Sequence, residues 1–178
     1  MESYISVYKA NFYSGLIMGL ITVIYTLILY AIDFMFNPYQ GYVFYIVQAV
    51  VLFIFIKSYR ENYKNGYITY GQAFASGIVI SLFTAIIYAI FIYILYTFID
   101  TDLVNKQLAF IEETFVKAGL PQAIIDSGLK MQKKFLQPAI YAPTKLLSSL
   151  LTGTILSLFV AIFIKKENNA LIYNSEGE

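Results

Sequence analysis

Four long stretches without charged residues constrain this chain more than any other feature of its sequence. The stretches that contain no Asp, Glu, Lys or Arg are residues 10–32, 34–56, 65–99 and 146–164. An α-helix needs about 20 mainly apolar residues to cross a hydrocarbon core about 30 Å thick. Because a backbone in lipid must satisfy its own hydrogen bonds, each stretch is predicted to be helical. The predicted membrane spans are about 12–32, 41–57, 72–97 and 144–164.

The composition agrees with an integral membrane protein and excludes several classes of function. Of the 178 residues, 59% are hydrophobic and 13% are charged, about half the charged share of a typical globular protein. The absence of His and Cys excludes disulfides, thiol nucleophiles, His-based triads and most zinc and haem sites. The net charge of +1 indicates no nucleic-acid-binding face. We therefore expect one membrane domain over residues 1–178, with the lipid bilayer as partner and with no metal, cofactor or enzymatic activity.

Basic residues near the ends of the spans predict the orientation of the chain. The connection between the first two spans has no Lys or Arg, whereas the next connection carries Lys57, Arg60 and Lys64. One Lys precedes the first span and two follow the last. Because the basic flanks of membrane spans are retained in the cytoplasm, we expect both termini to be cytoplasmic.

Small residues at every fourth position are predicted to pack the spans against each other. In lipid, helices associate where small side chains let two backbones approach closely. The spacing occurs in the first, third and fourth spans, and it suits contacts inside one bundle or between copies in a homo-oligomer. The residues predicted to carry these contacts are Gly15, Gly19, Gly77, Ser81, Ala85, Gly153 and Ser157.

Gln48 is the most informative polar residue within the spans. A buried amide in lipid needs partners, so it would either bond to a neighbouring helix or form one wall of a polar path. No charged residue is predicted at mid-depth in any span. Because pumps and proton-coupled transporters commonly place charges there, a secondary transporter is disfavoured.

The connection from about 100 to 137 predicts two amphipathic helices between spans three and four. Asp100 or Thr101 can cap the first helix, Gly119 can end it, and Pro121 suits the first turn of the second. Both helices are too short and too charged to cross a bilayer. They would lie on the outer leaflet or fold over the bundle, either as a passive cap or as a docking surface. The predicted fold class is therefore all-α, with four transmembrane and two amphipathic helices.

One arrangement with catalytic potential lies near the start of the fourth span. Lys145 shares a helix face with Ser148 and Ser149, and such pairs act as base and nucleophile where burial lowers the pKa of the lysine. The simpler interpretation is that Lys145 extends to the membrane surface. We therefore expect no catalytic residue.

A loop element before the third span carries a family resemblance. The segment Asn65-Gly66-Tyr67-Ile68-Thr69-Tyr70-Gly71-Gln72-Ala73-Phe74 resembles the signature of a bacterial four-span membrane-protein family catalogued as a domain of unknown function. The resemblance implies a bacterial cytoplasmic (inner) membrane but no activity, ligand or functional residue. Physically, Gly66 permits a turn and Thr69 can cap the third span. Gly71 would permit close packing, Gln72 could bind a loop carbonyl, and Tyr70, Gly71 and Gln72 could form a contact surface.

Two hypotheses of function follow from these features. The first is a non-enzymatic accessory or scaffold subunit of a membrane complex, with the outer helices and the basic loop as contact surfaces. The alternative is a small transporter, channel or lipid-handling protein with a crevice between the spans and the outer helices. A continuous polar cavity that reaches Gln48 would favour the alternative.

Overall fold

A computed structural model describes residues 6–167, and this part of the chain forms six α-helices. A π-helical turn, Leu95–Ile99, continues the third helix. The helices are α1 Val7–Ala31, α2 Gln40–Tyr63, α3 Tyr70–Ile94, α4 Leu103–Lys117, α5 Gln122–Phe135 and α6 Pro138–Ile164. Four segments are long and apolar enough to cross a membrane: α1, α2, α3 with its π-helical turn, and α6. The predicted all-α fold with four spans is confirmed.

The helices extend beyond the predicted spans. α2 continues to Tyr63, and α6 begins at Pro138, six residues before the predicted start. Pro138 fits the first turn because its N–H would have no helical partner there. Pro143 was expected to precede the span but lies inside α6, where its ring removes one backbone hydrogen bond. The charge-free stretches therefore mark the length that lipid can cover, whereas the helices continue into polar surroundings.

We name the two ends of the bundle by the elements they carry. The terminal side is where α1 begins, α2 ends, α3 begins and α6 ends. The α4–α5 side carries the α1–α2 loop and the two amphipathic helices. This alternation follows from four consecutive spans, and it brings the beginning of α1 and the end of α6 to the same side.

The small-residue series on α3 and α6 face each other in reciprocal pairs. A β-carbon built on Gly77 would lie 2.6 Å from the β-carbon of Ser157, and one built on Gly153 would lie 2.5 Å from that of Ser81. Each glycine of one helix therefore faces a serine of the other. Ala85, one step further along α3, is fully buried. These close approaches occur within a single chain.

α1 approaches the other side of α3 through its two glycines. A β-carbon built on Gly15 would lie 2.6 Å from the β-carbon of Phe83, and one on Gly19 would lie 2.9 Å from that of Ile87. The buried hydroxyl of Thr84 donates to the Gly15 carbonyl at 3.2 Å. α3 is therefore the central helix, with α1 and α6 packed tightly against it.

The two halves of the bundle are packed differently. The hydrophobic cluster on the terminal side takes buried side chains from all four spans, among them Met18, Leu52, Ile80 and Ala161. The cluster on the α4–α5 side consists of Ile92, Leu95, Tyr96, Leu103 and Ala142, with partly buried neighbours. Within residues 6–167, α2 contributes no side chain to this second cluster. The outer half of α2 contacts α1 instead, where the Tyr25 hydroxyl donates to the Gln40 carbonyl at 2.8 Å and the ring centroids of Tyr25 and Phe44 lie 5.4 Å apart.

α4 is fastened over the bundle by polar and aromatic contacts. Asp100 accepts hydrogen bonds from the Tyr30 hydroxyl at 3.1 Å and from the Lys106 ammonium at 2.7 Å. The bond from Lys106 is the main reason that the pKa of the Asp100 carboxyl lies below its usual value. The rings of Phe36 and Phe110 stack with centroids 6.2 Å apart. These contacts attach the first half of α4 to α1 and to the α1–α2 loop.

The ends of the amphipathic helices differ in detail from the predictions. Asp100 accepts the N–H of Asp102 at 3.0 Å, and α4 begins one residue later, at Leu103. Gly119 follows the end of α4 with a φ of +70°, which glycine adopts without strain. Pro121 precedes α5 by one residue instead of occupying its first turn.

α5 packs back against α4 and leaves one apolar face exposed. A β-carbon built on Gly128 would lie 2.9 Å from the ring of Phe115, so the absence of a side chain there lets the two helices meet. Ile124, Met131 and Phe135 of α5 are exposed. α4 therefore covers the bundle, whereas α5 extends an apolar face away from it.

Candidate functional site

Two adjoining cavities occupy the α4–α5 side of the bundle. The upper cavity has a volume of about 290 Å³ and lies beneath α4. The lower cavity has a volume of about 130 Å³ and lies among α1, α2, α3 and α6. Four residues line both: Thr26, Gln40, Tyr88 and Lys145. We call this combined space the α2–α6 crevice.

The upper cavity is roofed by α4 and by the α1–α2 loop. Gln107, Phe110 and Ile111 of α4 line it from above, opposite Phe36 in the loop. The Tyr96 hydroxyl donates to the Gln107 side chain at 2.9 Å, so the π-helical turn holds this part of α4. The stacked rings of Phe36 and Phe110 cover the upper end of the crevice.

The lower cavity is unusually polar for a space among membrane spans. It has hydroxyl groups from all four spans, two amides and one ammonium group. Because membrane interiors strongly disfavour unpaired polar groups, such a concentration indicates a site. The polar residues that line it are Tyr25, Thr26, Gln40, Tyr45, Gln48, Tyr88, Lys145, Ser148, Ser149 and Thr152.

Gln48 lies at the deepest part of this polar lining. Its side chain is only 3% exposed, and its Oε1 accepts no hydrogen bond within the described residues. A buried polar atom without a partner costs about 1–3 kcal/mol. Of the two predicted roles, the wall of a polar path describes this placement better than an interhelical hydrogen bond.

Lys145 lines both cavities of the crevice. It lies seven residues after the start of α6, which corresponds to about 10 Å along a helix. Its Nζ is 5.0 Å from the centroid of the Tyr141 ring, a cation–π contact. In the part of the chain that the structure describes, no carboxylate forms an ion pair with it. Lys145 therefore brings an uncompensated positive charge to the crevice.

The two serines near Lys145 line the same lower cavity. Ser148 is exposed and Ser149 is half-buried. No hydrogen bond joins either hydroxyl to Lys145 among residues 6–167. The pair therefore lacks the contact between base and nucleophile that a Ser–Lys mechanism uses, and it supplies hydroxyl groups to the wall.

The crevice opens sideways between α2 and α6. On the terminal side these helices are joined, because Arg60 of α2 donates to the Ile164 carbonyl of α6 at 2.9 Å. On the α4–α5 side, a β-carbon built on Gly41 would meet only the Tyr45 ring, at 4.0 Å. Tyr45 on one edge of the cavity is 48% exposed, and Ser148 on the other edge is exposed too. The opening therefore faces the surroundings of the spans.

The loop element has a structural role on the opposite side of the bundle. The Thr69 hydroxyl accepts from the Gln72 N–H, and the Gln72 side chain accepts from the Thr69 N–H, both at 3.3 Å. Gln72 thus binds a backbone N–H and not the expected loop carbonyl. Gly71 has nothing within 4 Å of a built β-carbon, so the expected close packing is wrong. Gly66 adopts a φ of +81°, as its predicted turn requires, and the Tyr70 hydroxyl reaches the Leu158 carbonyl at 3.4 Å.

The sequence singled out Gln48, but it gave no prediction that Lys145 lines the same cavity. A signal was present, since Lys145, Ser149 and Thr152 follow at i, i+4 and i+7 and so share one face of α6. Tyr25 and Tyr88 carried no comparable signal, because tyrosine is common throughout these spans.

Comparison with known proteins identifies a family but no activity. The model of a family described as "Protein of unknown function (DUF4199)" matches residues 13–166, which include every residue that lines the crevice. No curated protein and no solved structure matches the chain.

Proposed function

The chain belongs to the DUF4199 family of proteins of unknown function, and we propose that it binds a ligand in the α2–α6 crevice. It acts as a multi-pass membrane protein without catalytic activity. The proposal takes up the lipid-handling alternative among the sequence hypotheses. The observation that supports this proposal is the polar crevice that reaches Gln48.

The energetic cost of the crevice supports binding over a purely structural role. A scaffold is most stable when its spans are packed along their whole length, as they are on the terminal side. On the α4–α5 side, residues 6–167 provide no carboxylate for the Lys145 ammonium, which contacts the Tyr141 ring, and no hydrogen-bond donor for the Gln48 amide oxygen. Both groups cost free energy until a ligand provides partners for them.

The closed terminal side favours binding over conduction. Leu52 and Ile56 of α2, Ile80 of α3 and Ala161 of α6 are completely buried in one cluster below the crevice. A pore would have to pass through this cluster. The crevice is therefore a pocket confined to the α4–α5 half of the bundle, the extracytoplasmic half if the termini are cytoplasmic.

The accessory-subunit hypothesis concerns a different surface. A partner or a second copy of the chain would use the exposed apolar side chains of α5, such as Met131 and Phe135. Co-purification after mild solubilisation tests it, and a subunit role is compatible with ligand binding in the crevice.

Native mass spectrometry of protein extracted in mild detergent tests the ligand. We expect the wild-type protein to retain a bound non-protein species and Thr152→Trp, which fills the lower cavity, to lose it. Ile162→Trp is the matched control, because Ile162 lies on the same helix but is 52% exposed on the terminal side, away from the crevice. Equal adducts on all three proteins would contradict the proposal. Ser149→Phe, on the same wall, serves as a second blocking variant if Thr152→Trp does not fold.

A further inference from the structure

We propose that the ligand is an anionic amphiphile whose phosphate or carboxylate group binds to Lys145. Its apolar chains leave the crevice between α2 and α6. This inference rests on the proposed function and specifies the chemistry of the ligand. It follows from the charge, the depth, the polar lining and the sideways opening of the crevice.

The charge of the crevice selects an anion. Within residues 6–167, Lys145 is the only charged residue that lines either cavity of the α2–α6 crevice. A partly desolvated ammonium without a carboxylate partner is stabilised by an anionic ligand, and intramembrane charges commonly mark such sites. The hydroxyl groups of Ser148, Ser149 and Thr152 lie on the same helix and can donate to the oxygens of a phosphate or carboxylate.

The depth of Lys145 matches that of a lipid headgroup. With 27 residues, α6 is about 40 Å long and exceeds a hydrocarbon core of about 30 Å. A helix centred in the core would extend about 5 Å beyond it at each end. Lys145, about 10 Å from the start of α6, then lies just inside the core, where acyl chains meet headgroups.

The polar lining of the lower cavity favours a headgroup over acyl chains. The cavity has a volume of about 130 Å³, and ten of the twelve residues that line it carry a hydroxyl, amide or ammonium group. This space suits a phosphate or carboxylate with a short polar extension. A hydroxyl in that extension could donate to the unpartnered Oε1 of Gln48. The apolar part of the ligand must therefore remain outside.

The sideways opening provides a place for that apolar part. Ile46 of α2 and Leu151 of α6 are 66% and 64% exposed on the flanks of the opening. Chains emerging between Tyr45 and Ser148 would run along these two helices in contact with the bilayer. A soluble anion needs no opening towards the bilayer, whereas the apolar chains of an amphiphile must leave the cavity through one.

Lipid-binding titrations on the full-length protein test the inference. Native mass spectrometry would compare phosphatidylglycerol with diacylglycerol of identical acyl chains, each added to delipidated wild-type protein. We expect phosphatidylglycerol to bind at least about tenfold more tightly, because diacylglycerol is neutral and has no phosphate to pair with the Lys145 ammonium. Lys145→Gln should abolish this preference, and Lys145→Arg should retain most of it. Lys166→Gln is the matched control, since Lys166 contacts an aromatic ring, that of Tyr67, on the terminal side.

The results of these titrations distinguish a failure of this inference from a failure of the proposed function. Equal binding of both lipids, or a preference that Lys145→Gln leaves unchanged, would overturn the inference and leave the proposed function standing. Inorganic phosphate that displaced phosphatidylglycerol at equal concentration would also overturn it, because the site would then recognise the free anion. The proposed function itself would be refuted if the wild-type protein bound no specific adduct and gave the same mass spectrum as Thr152→Trp.

Discussion

Replacing Gly77 with alanine tests how closely α3 and α6 must approach. The new β-carbon would lie 2.6 Å from the β-carbon of Ser157 and 3.1 Å from the Cδ1 of Ile56. Both neighbours belong to the packed terminal half, so the helices must separate or Ser157 must shift. Overpacking of this kind costs about 1–3 kcal/mol, against a gain in helix propensity of about 1 kcal/mol. We expect a net loss of up to about 2 kcal/mol in the free energy of unfolding.

Gly71→Ala is the control for this substitution. Gly71 lies on the same helix, but nothing approaches within 4 Å of its built β-carbon. We therefore expect Gly71→Ala to be neutral or stabilising by at most about 1 kcal/mol. Equilibrium unfolding in a fixed detergent, followed by circular dichroism, measures both variants.

A double mutant locates the cause of the loss. Ser157→Gly alone should destabilise, because the Ser157 hydroxyl donates to the Gly153 carbonyl at 2.6 Å. In combination with Gly77→Ala, however, it removes the side chain that the new methyl group meets. We expect the double mutant to be more stable than the sum of the single changes by about 1 kcal/mol or more. Additive effects, or a Gly77→Ala variant as stable as Gly71→Ala, would refute the assigned contact between α3 and α6.

Three further predictions follow from other parts of the molecule. Gln48→Met should raise the free energy of unfolding of the ligand-free protein by about 1 kcal/mol, because it removes an unpartnered buried oxygen; a marked loss of stability in chemical denaturation would contradict this. The lowered pKa of Asp100 contributes stability above the unfolded carboxyl pKa of about 3.9 and loses it as the pH falls through the folded pKa. A spin label at Thr114→Cys should therefore become more mobile only in that acidic range, and Asp100→Asn should make it mobile at neutral pH as well. A fluorophosphonate probe should leave the protein unlabelled, whereas labelling that disappears in Ser149→Ala would revive the Ser–Lys hydrolase.

The sequence predicted most of the fold because lipid imposes simple rules on it. Charged residues such as Asp33 and Asp100 interrupt the apolar stretches, and each stretch between them can satisfy its backbone only as a helix. Glycine at positions 77 and 153 likewise indicated close helix contacts. The reciprocal pairing of each glycine with a serine could not be predicted, because it depends on how far one helix slides along the other.

The candidate site was less predictable because it depends on which way individual side chains turn. The sequence places Lys145 at the start of a span, where a lysine side chain can extend to the membrane surface or along the wall of a cavity. Which of the two it does depends on the space beside it, and residues from all four spans line that space. The prediction that Gly71 permits close packing was wrong because it too depends on the neighbours. Gly71 lies on α3 as expected, but no atom of another helix lies within 4 Å of its built β-carbon.

The contrast between the two halves of the bundle explains how a ligand could be held without weakening the fold. The terminal half contains the four-helix cluster, the Gly–Ser pairs and the bond from Arg60 to the end of α6. The outer half of α2 is absent from the second cluster and is joined to α1 by Tyr25, so a ligand in the crevice would add contacts on its other side. A ligand at 100 times its Kd stabilises the form that binds it by about 2.7 kcal/mol. That stabilisation should appear as a larger slowing of amide hydrogen exchange on ligand binding in residues 40–48 than in residues 52–60, because only the former line the crevice.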